Sequence, residues 1–146
     1  MGNGSEQVLH ASCVALDGKG LLILGASGAG KSSLALEMMA RGAGLVADDR
    51  TIVTARSGQL IADCPSSLRG RIEARGIGIL QARPAGPVAL ALAVDLDRAE
   101  PERLPPHRKL VLLDLGLPLV LGQGRGHLAS ALLQYLVAGR GDPDET

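Results

Sequence analysis

The segment GASGAGKS over residues 25–32 constrains this chain more than any other feature. Gly25, four intervening residues, then Gly30, Lys31 and Ser32 make the full Walker A spacing. An apolar run over residues 21–24 precedes it, and Leu34, Ala35, Met38 and Met39 follow as a helical stripe. Strand, glycine loop and helix in that order form the context that gives the motif its meaning. Glycines let successive backbone N–H groups turn toward one anion, and the helix N-terminus adds partial positive charge. A lysine at position 31 reaches the terminal phosphates of a nucleotide, and the Ser32 hydroxyl can ligate Mg²⁺. Gly25, Ala26, Ser27, Gly28, Ala29, Gly30, Lys31 and Ser32 are therefore the candidate nucleotide-binding residues.

The rest of the chain supplies a sheet around this unit. Residues 8–15 read as a strand, and Asp17 followed by Gly18 signals a hairpin. Gly42 and Gly44 end the first helix, and residues 45–47 form a short buried strand stopped by Asp48 and Asp49. Residues 51–55 and 59–62 flank Ser57 and Gly58 as a second hairpin. Residues 72–80 are extended and broken by glycine; residues 88–96 and 110–113 are further buried strands. A polar, proline-rich loop covers residues 97–109. A last helix is expected over about residues 126–138, with Leu128, Leu132, Tyr135 and Leu136 on one side. The expected organisation is a disordered lead over residues 1–7, one α/β domain over 8–139, and a disordered tail over 140–146.

Composition removes several classes of function. Fifteen basic residues balance fifteen acidic ones, which argues against bulk electrostatic binding of nucleic acid or anionic membrane. One Tyr, with no Phe or Trp, leaves almost nothing for stacking bases. No apolar stretch reaches the ~18 residues of a membrane span, and the N-terminus lacks the basic and apolar regions of a signal peptide. Cys13 and Cys64 make no disulfide framework and no zinc spacing, so they read as buried small hydrophobes and the chain as cytoplasmic.

The carboxylates are the next candidates. Asp48 and Asp49 end a strand whose carboxyl end lines the ligand crevice of an open α/β sheet. They can hold Mg²⁺, accept a hydroxyl proton, or cap a turn. Asp114 closes an apolar run in the manner of a Walker B strand, a form that any buried strand before a turn shares. Glu73 alone reads equally as a surface ion pair. His10 lies in a strand, where a lone histidine is commonly structural. Arg125 and His127 stand at the entry of the last helix, where they can hold phosphate or simply flank a glycine-rich turn. Arg69, Arg71 and Arg75 pair with phosphates or Glu73, or form a solvated basic face.

Taken together, His10 ahead of the loop, GASGAGKSSLALEMMARG, LVADD over residues 45–49 and IEARGIGIL over residues 72–80 resemble the catalytic domain of bacterial HPr kinase/phosphorylase. A weaker block over residues 122–129 resembles the stretch before that family's final helix. The resemblance implies a single P-loop domain of the HPr kinase / phosphoenolpyruvate carboxykinase-like type. It implies an ATP- and Mg²⁺-dependent protein serine kinase acting on HPr or an HPr-like phosphocarrier, with a phosphorylase reaction in some members. Carried over, Lys31 binds the phosphates, Ser32 and Glu73 hold Mg²⁺, Asp49 is the general base and His10 a catalytic-site residue. Asp48, Arg75 and Gly76 accompany them, and Asp114 loses its metal reading. Ring-like hexamers in the family imply a homo-oligomer.

The chain departs from the family at several points. The family commonly carries Asp where Ala26 stands and Glu where Ser33 stands. The segment over residues 81–88 is short and holds only Arg83, which receives no catalytic role. The resemblance is to short forms linked to regulatory phosphotransferase chains, without the N-terminal domain of longer members. Two other readings follow from the residues: a nucleotide-binding regulatory module, and a kinase for a small metabolite. The second lacks the arginine-bearing lid such enzymes use to exclude water.

Overall fold

The computed structural model describes residues 5–142. Short apolar runs punctuated by turn residues give a mixed sheet with two α-helices on one face, an α/β fold as expected. β1 (Glu6–Leu9) and β2 (Ser12–Leu16) replace the single strand expected over residues 8–15. The chain bends at His10, so β1 pairs with β5 (Thr51–Arg56) while β2 pairs with β3 (Lys19–Leu24) and β4 (Gly44–Ala47). β6 (Gln59–Asp63) follows β5 through Ser57 and Gly58, both at positive φ, as the hairpin signal required.

The strand order is β1-β5-β6-β9-β3-β2-β4, with β9 spanning Val88–Asp95. β9 pairs with β6 through Val88 and Ala89, and lies parallel to β11 (Leu115–Leu121) through Ala93–Asp95. On β9's other edge lies β3, also parallel. β10 (Lys109–Leu112) joins β11 through Leu113 and Asp114, a tight hairpin that the sequence reading did not anticipate. The glycine-broken segment is a separate hairpin, β7 (Arg71–Ala74) with β8 (Gly78–Gln81).

Alternation along β3 explains the layering, because successive side chains face opposite sides of the sheet. Leu21 and Ile23 join Val14, Leu92 and Val94 beneath α1 (Lys31–Met39) and α2 (Leu128–Ala138). Leu34, Ala35 and Met38 of α1 and Leu132, Leu133 and Leu136 of α2 close that core. Leu22 points the other way, onto Val53, Leu60 and Leu117.

Both ends of the chain depart from expectation where they are described. Glu6 and Gln7, placed in the lead, form the first half of an edge strand. Arg140, placed in the tail, donates to the carbonyls of Pro105 and Pro106, and Asp142 pairs with His107 at 2.6 Å. The tail thus docks on the proline-rich loop. The parts of those two expectations that concern residues 1–4 and 143–146 lie outside the described residues.

Candidate phosphate-binding site

Strand pairing alone gathers the site. Leu24 at the end of β3 faces Asp95 at the end of β9, because the two strands run parallel. β2 runs against β3, so its first residue, Ser12, faces Ile23 at the same edge. β4 runs against β2 and therefore ends there too, with Ala47 opposite Cys13 and Asp48 just beyond. The carboxyl ends of β3, β4, β9 and β11 thus open on one crevice edge, where ligands of open α/β sheets bind.

The glycine loop leaves β3 at this edge. Gly30 caps α1 with φ +103, a conformation that glycine adopts without steric cost. Lys31 opens the helix and is buried. Its Nζ donates to the carbonyls of Gly25 at 2.7 Å and Ala26 at 3.2 Å, which holds the ammonium across the loop's first turn.

Asp48 sits at the centre of the polar contacts. Its Oδ1 accepts from the Ser32 hydroxyl at 2.7 Å and the Ser12 hydroxyl at 3.0 Å; its Oδ2 accepts the Glu73 N–H at 3.1 Å. Asp49 turns away. Its φ is +66, its N–H donates to Ser12 Oγ at 3.1 Å, and its carboxylate lies 3.2 Å from His10 Nε2. The His10 and Asp49 side chains are 59% and 63% exposed, so this pair looks out from the site.

The structure therefore separates the two acids. Asp48 stands against the loop serine, in the relation that a metal-holding aspartate bears to Walker A Ser in other P-loop proteins. A serine hydroxyl and a carboxylate are hard oxygen donors of the kind Mg²⁺ takes. Among the described residues no three His, Cys, Asp or Glu side chains converge. Mg²⁺ needs only one or two protein carboxylates when phosphate and water fill the rest. Glu73 comes to the site through its main chain, with its side chain on the exposed face of β7. Arg75 and Gly76 form the exposed turn of the β7–β8 hairpin.

Other candidates fall elsewhere. Asp114, at φ +65, is a turn residue of the β10–β11 hairpin. Arg125 donates to the Glu100 carbonyl at 2.6 Å, and so braces the proline-rich loop. Arg83 donates to the Gly42 carbonyl at 2.9 Å, a contact that ties its segment to the turn after α1. Burial pushes the Cys13 and Cys64 thiols up, which suits their packing as small hydrophobes.

Two residues escaped the sequence reading. Ser12 carried a signal, since a hydroxyl inside a buried strand must find partners. Asp97 carried none. Both of its carboxylate oxygens accept the Ala26 N–H, at 2.9 and 3.1 Å, across seventy-one positions of sequence. It gets there because β9 ends beside β3. The same loop is anchored farther on by Glu100, which accepts twice from Arg108 at 2.8 Å. The Arg108 guanidinium draws the Glu100 carboxyl down to about 2.

A strand, glycine loop and helix with an acid seated on the loop serine define an α/β domain of the P-loop kind. The chain belongs to the HPr serine kinase C-terminal domain family, whose profile matches residues 4–85. It is 40% identical to the HPr kinase/phosphorylase of Aromatoleum aromaticum over 91% of its own length and 48% of that protein's. Against the HPr kinase/phosphorylase of an Azoarcus species it is 38% identical, covering 88% of this chain and 46% of the relative. The chain thus spans about half the length of these curated relatives. The solved structure of the Hpr(Ser) kinase/phosphatase from Coxiella burnetii superposes with a TM-score of 0.69 at 29% identity, covering 90% of this chain and 93% of that one.

Proposed function

We propose that this chain is an ATP- and Mg²⁺-dependent protein serine kinase whose acceptor is an HPr-type phosphocarrier. The observation that carries the proposal is the division of labour between adjacent acids, Asp48 on Ser32 and Asp49 on His10. In phosphoryl transfer the protein chiefly positions groups and stabilises charge. Lys31 and the loop amides hold the phosphates. Ser32 and Asp48 hold the metal, and Glu73, the second metal ligand that the resemblance implies, supports them through its main-chain N–H on Asp48. Mg²⁺ when bound supplies charge neutralisation on the phosphate oxygens.

Asp49 takes the proton from the acceptor serine hydroxyl and orients it for in-line attack. His10 at 3.2 Å steadies that carboxylate from the open side. An exposed base suits a protein acceptor, which itself closes the site against water. A phosphorylase reaction, a homo-oligomeric ring and a cytoplasmic setting accompany this reading through the family. No described helix is long and apolar enough to cross a membrane.

The test incubates the chain with labelled ATP, Mg²⁺ and a purified HPr-type protein. Label is expected on a serine of the acceptor, and Lys31→Ala is expected to abolish it. Tight ATP binding without transfer would favour the nucleotide-binding regulatory module instead.

A further inference from the structure

Ser12 is fully buried within an apolar strand, between Ala11 and Cys13. A hydroxyl in such a place costs free energy unless it is hydrogen-bonded. Its partners are unusual. It donates to Asp48 Oδ1 and accepts the Asp49 N–H, so one oxygen atom links both consecutive acids. Thr51, equally buried, does something plainer: its hydroxyl donates to the Ala11 carbonyl rather than to either acid.

The geometry has two consequences. Asp48 Oδ1 is approached by Ser12 and by Ser32, which sets the carboxylate's orientation from two hydroxyls. The Asp49 amide is drawn inward, and at φ +66 its carboxylate is left outside with His10. We propose that Ser12 is a positioning residue of the transfer site: its hydroxyl seats Asp48 on the loop serine and fixes the peptide that turns Asp49 to the acceptor side. This rests on the kinase reading above.

The experiment compares wild-type chain, Ser12→Ala and Thr51→Val. For each, thermal midpoint, kcat and KM for acceptor phosphorylation are measured. Nucleotide affinity is measured calorimetrically with Mg²⁺ and again with chelator. Ser12→Ala is expected to lower kcat by roughly 10–100-fold, the scale of small misplacements in a transfer site. It should also shrink the Mg²⁺-dependent gain in nucleotide affinity several-fold while metal-free affinity stays as in wild type. Thr51→Val loses a buried hydroxyl bond and some thermal stability, but leaves both quantities unchanged.

A Ser12→Ala protein that matches Thr51→Val in kcat and in the Mg²⁺ effect overturns the positioning role alone. A wild-type chain that neither binds nucleotide nor transfers phosphate overturns the kinase reading, and this inference with it. Should Ser12→Ala fail to fold, Ser12→Cys, whose thiol is a weaker donor, is judged by the same two quantities.

Discussion

Asp48→Asn and Asp49→Asn differ by one position and should differ in kind. Asp48 accepts three hydrogen bonds, at 2.7, 3.0 and 3.1 Å. An asparagine there can keep its oxygen toward the two hydroxyls, but its NH₂ then meets the Glu73 N–H, donor against donor. Bonds to a charged acceptor are worth ~1.5–3 kcal/mol and neutral ones ~0.5–1.5. Weakening two bonds by ~1 kcal/mol each and losing the third, discounted for partial exposure, gives a cost of roughly 2–4 kcal/mol. For a chain of this size that lowers the thermal midpoint by roughly 6–16 °C.

Asp49 makes a single ion pair, to an exposed His10. Such pairs contribute about 0–1 kcal/mol, and Asn tolerates the left-handed conformation at φ +66. Asp49→Asn should therefore shift the midpoint by less than about 4 °C. It should cut phosphoryl transfer by roughly 10²–10⁴-fold, the range for loss of a general base. Thermal unfolding by circular dichroism, with and without Mg²⁺-nucleotide, and turnover on an HPr-type acceptor measure all of this. An Asp49→Asn protein less stable than Asp48→Asn, or near-normal transfer in Asp49→Asn, would refute the assignment of the two acids.

Two further outcomes follow from the loop after β9. Asp97→Ala releases the Ala26 N–H from both carboxylate oxygens. ATP affinity is expected to fall by roughly 2–10-fold, the scale of one net hydrogen bond, while Asp97→Asn, which keeps an acceptor, stays near wild type in the same titration. Acid stability should depend on Glu100, whose carboxyl lies at about 2 against roughly 4.3 in the unfolded chain. A lowered folded-state pKa stabilises above the unfolded value, and that contribution disappears as pH falls from about 4.3 toward 2. Glu100→Gln should therefore flatten this part of the midpoint-versus-pH curve, and an unchanged slope would show that the Arg108 pair is not coupled to folding.

The turns show what local sequence can specify. Asp17–Gly18 and Ser57–Gly58 each carry a glycine that accepts positive φ without steric cost, and both hairpins were legible. Leu113 and Asp114 form an equivalent two-residue turn at φ +49 and +65. No glycine announces it, and a leucine there is strained. Its side chain packs with Leu110, Leu112 and Leu115 against the apolar cluster around Leu22 and Leu60. Burial therefore compensates a backbone conformation that the residue would not choose alone. From the sequence Asp114 shows only the apolar-run-then-acid form that any buried strand before a turn shares, and the hairpin itself is not announced.

The site divides in the same way. The glycine loop, Lys31 and Ser32 are contiguous, and their chemistry follows from spacing alone. The adjacent acids were visible as a pair, and the family resemblance implied Asp49 as the base, but the residues alone did not divide the roles, since alternation says only that neighbours point apart. The direction of each was decided by Ser12, thirty-six residues from Asp48, which arrives because β2 runs antiparallel to both β3 and β4. Asp97 reaches Ala26 for a similar reason, the parallel register of β9 beside β3. Sequence by itself determined the local phosphate cradle, because its backbone requirements fall on consecutive residues. Only the tertiary structure decided the orientation of the acids and the anchoring of the loop, because those depend on which strand ends the sheet brings together.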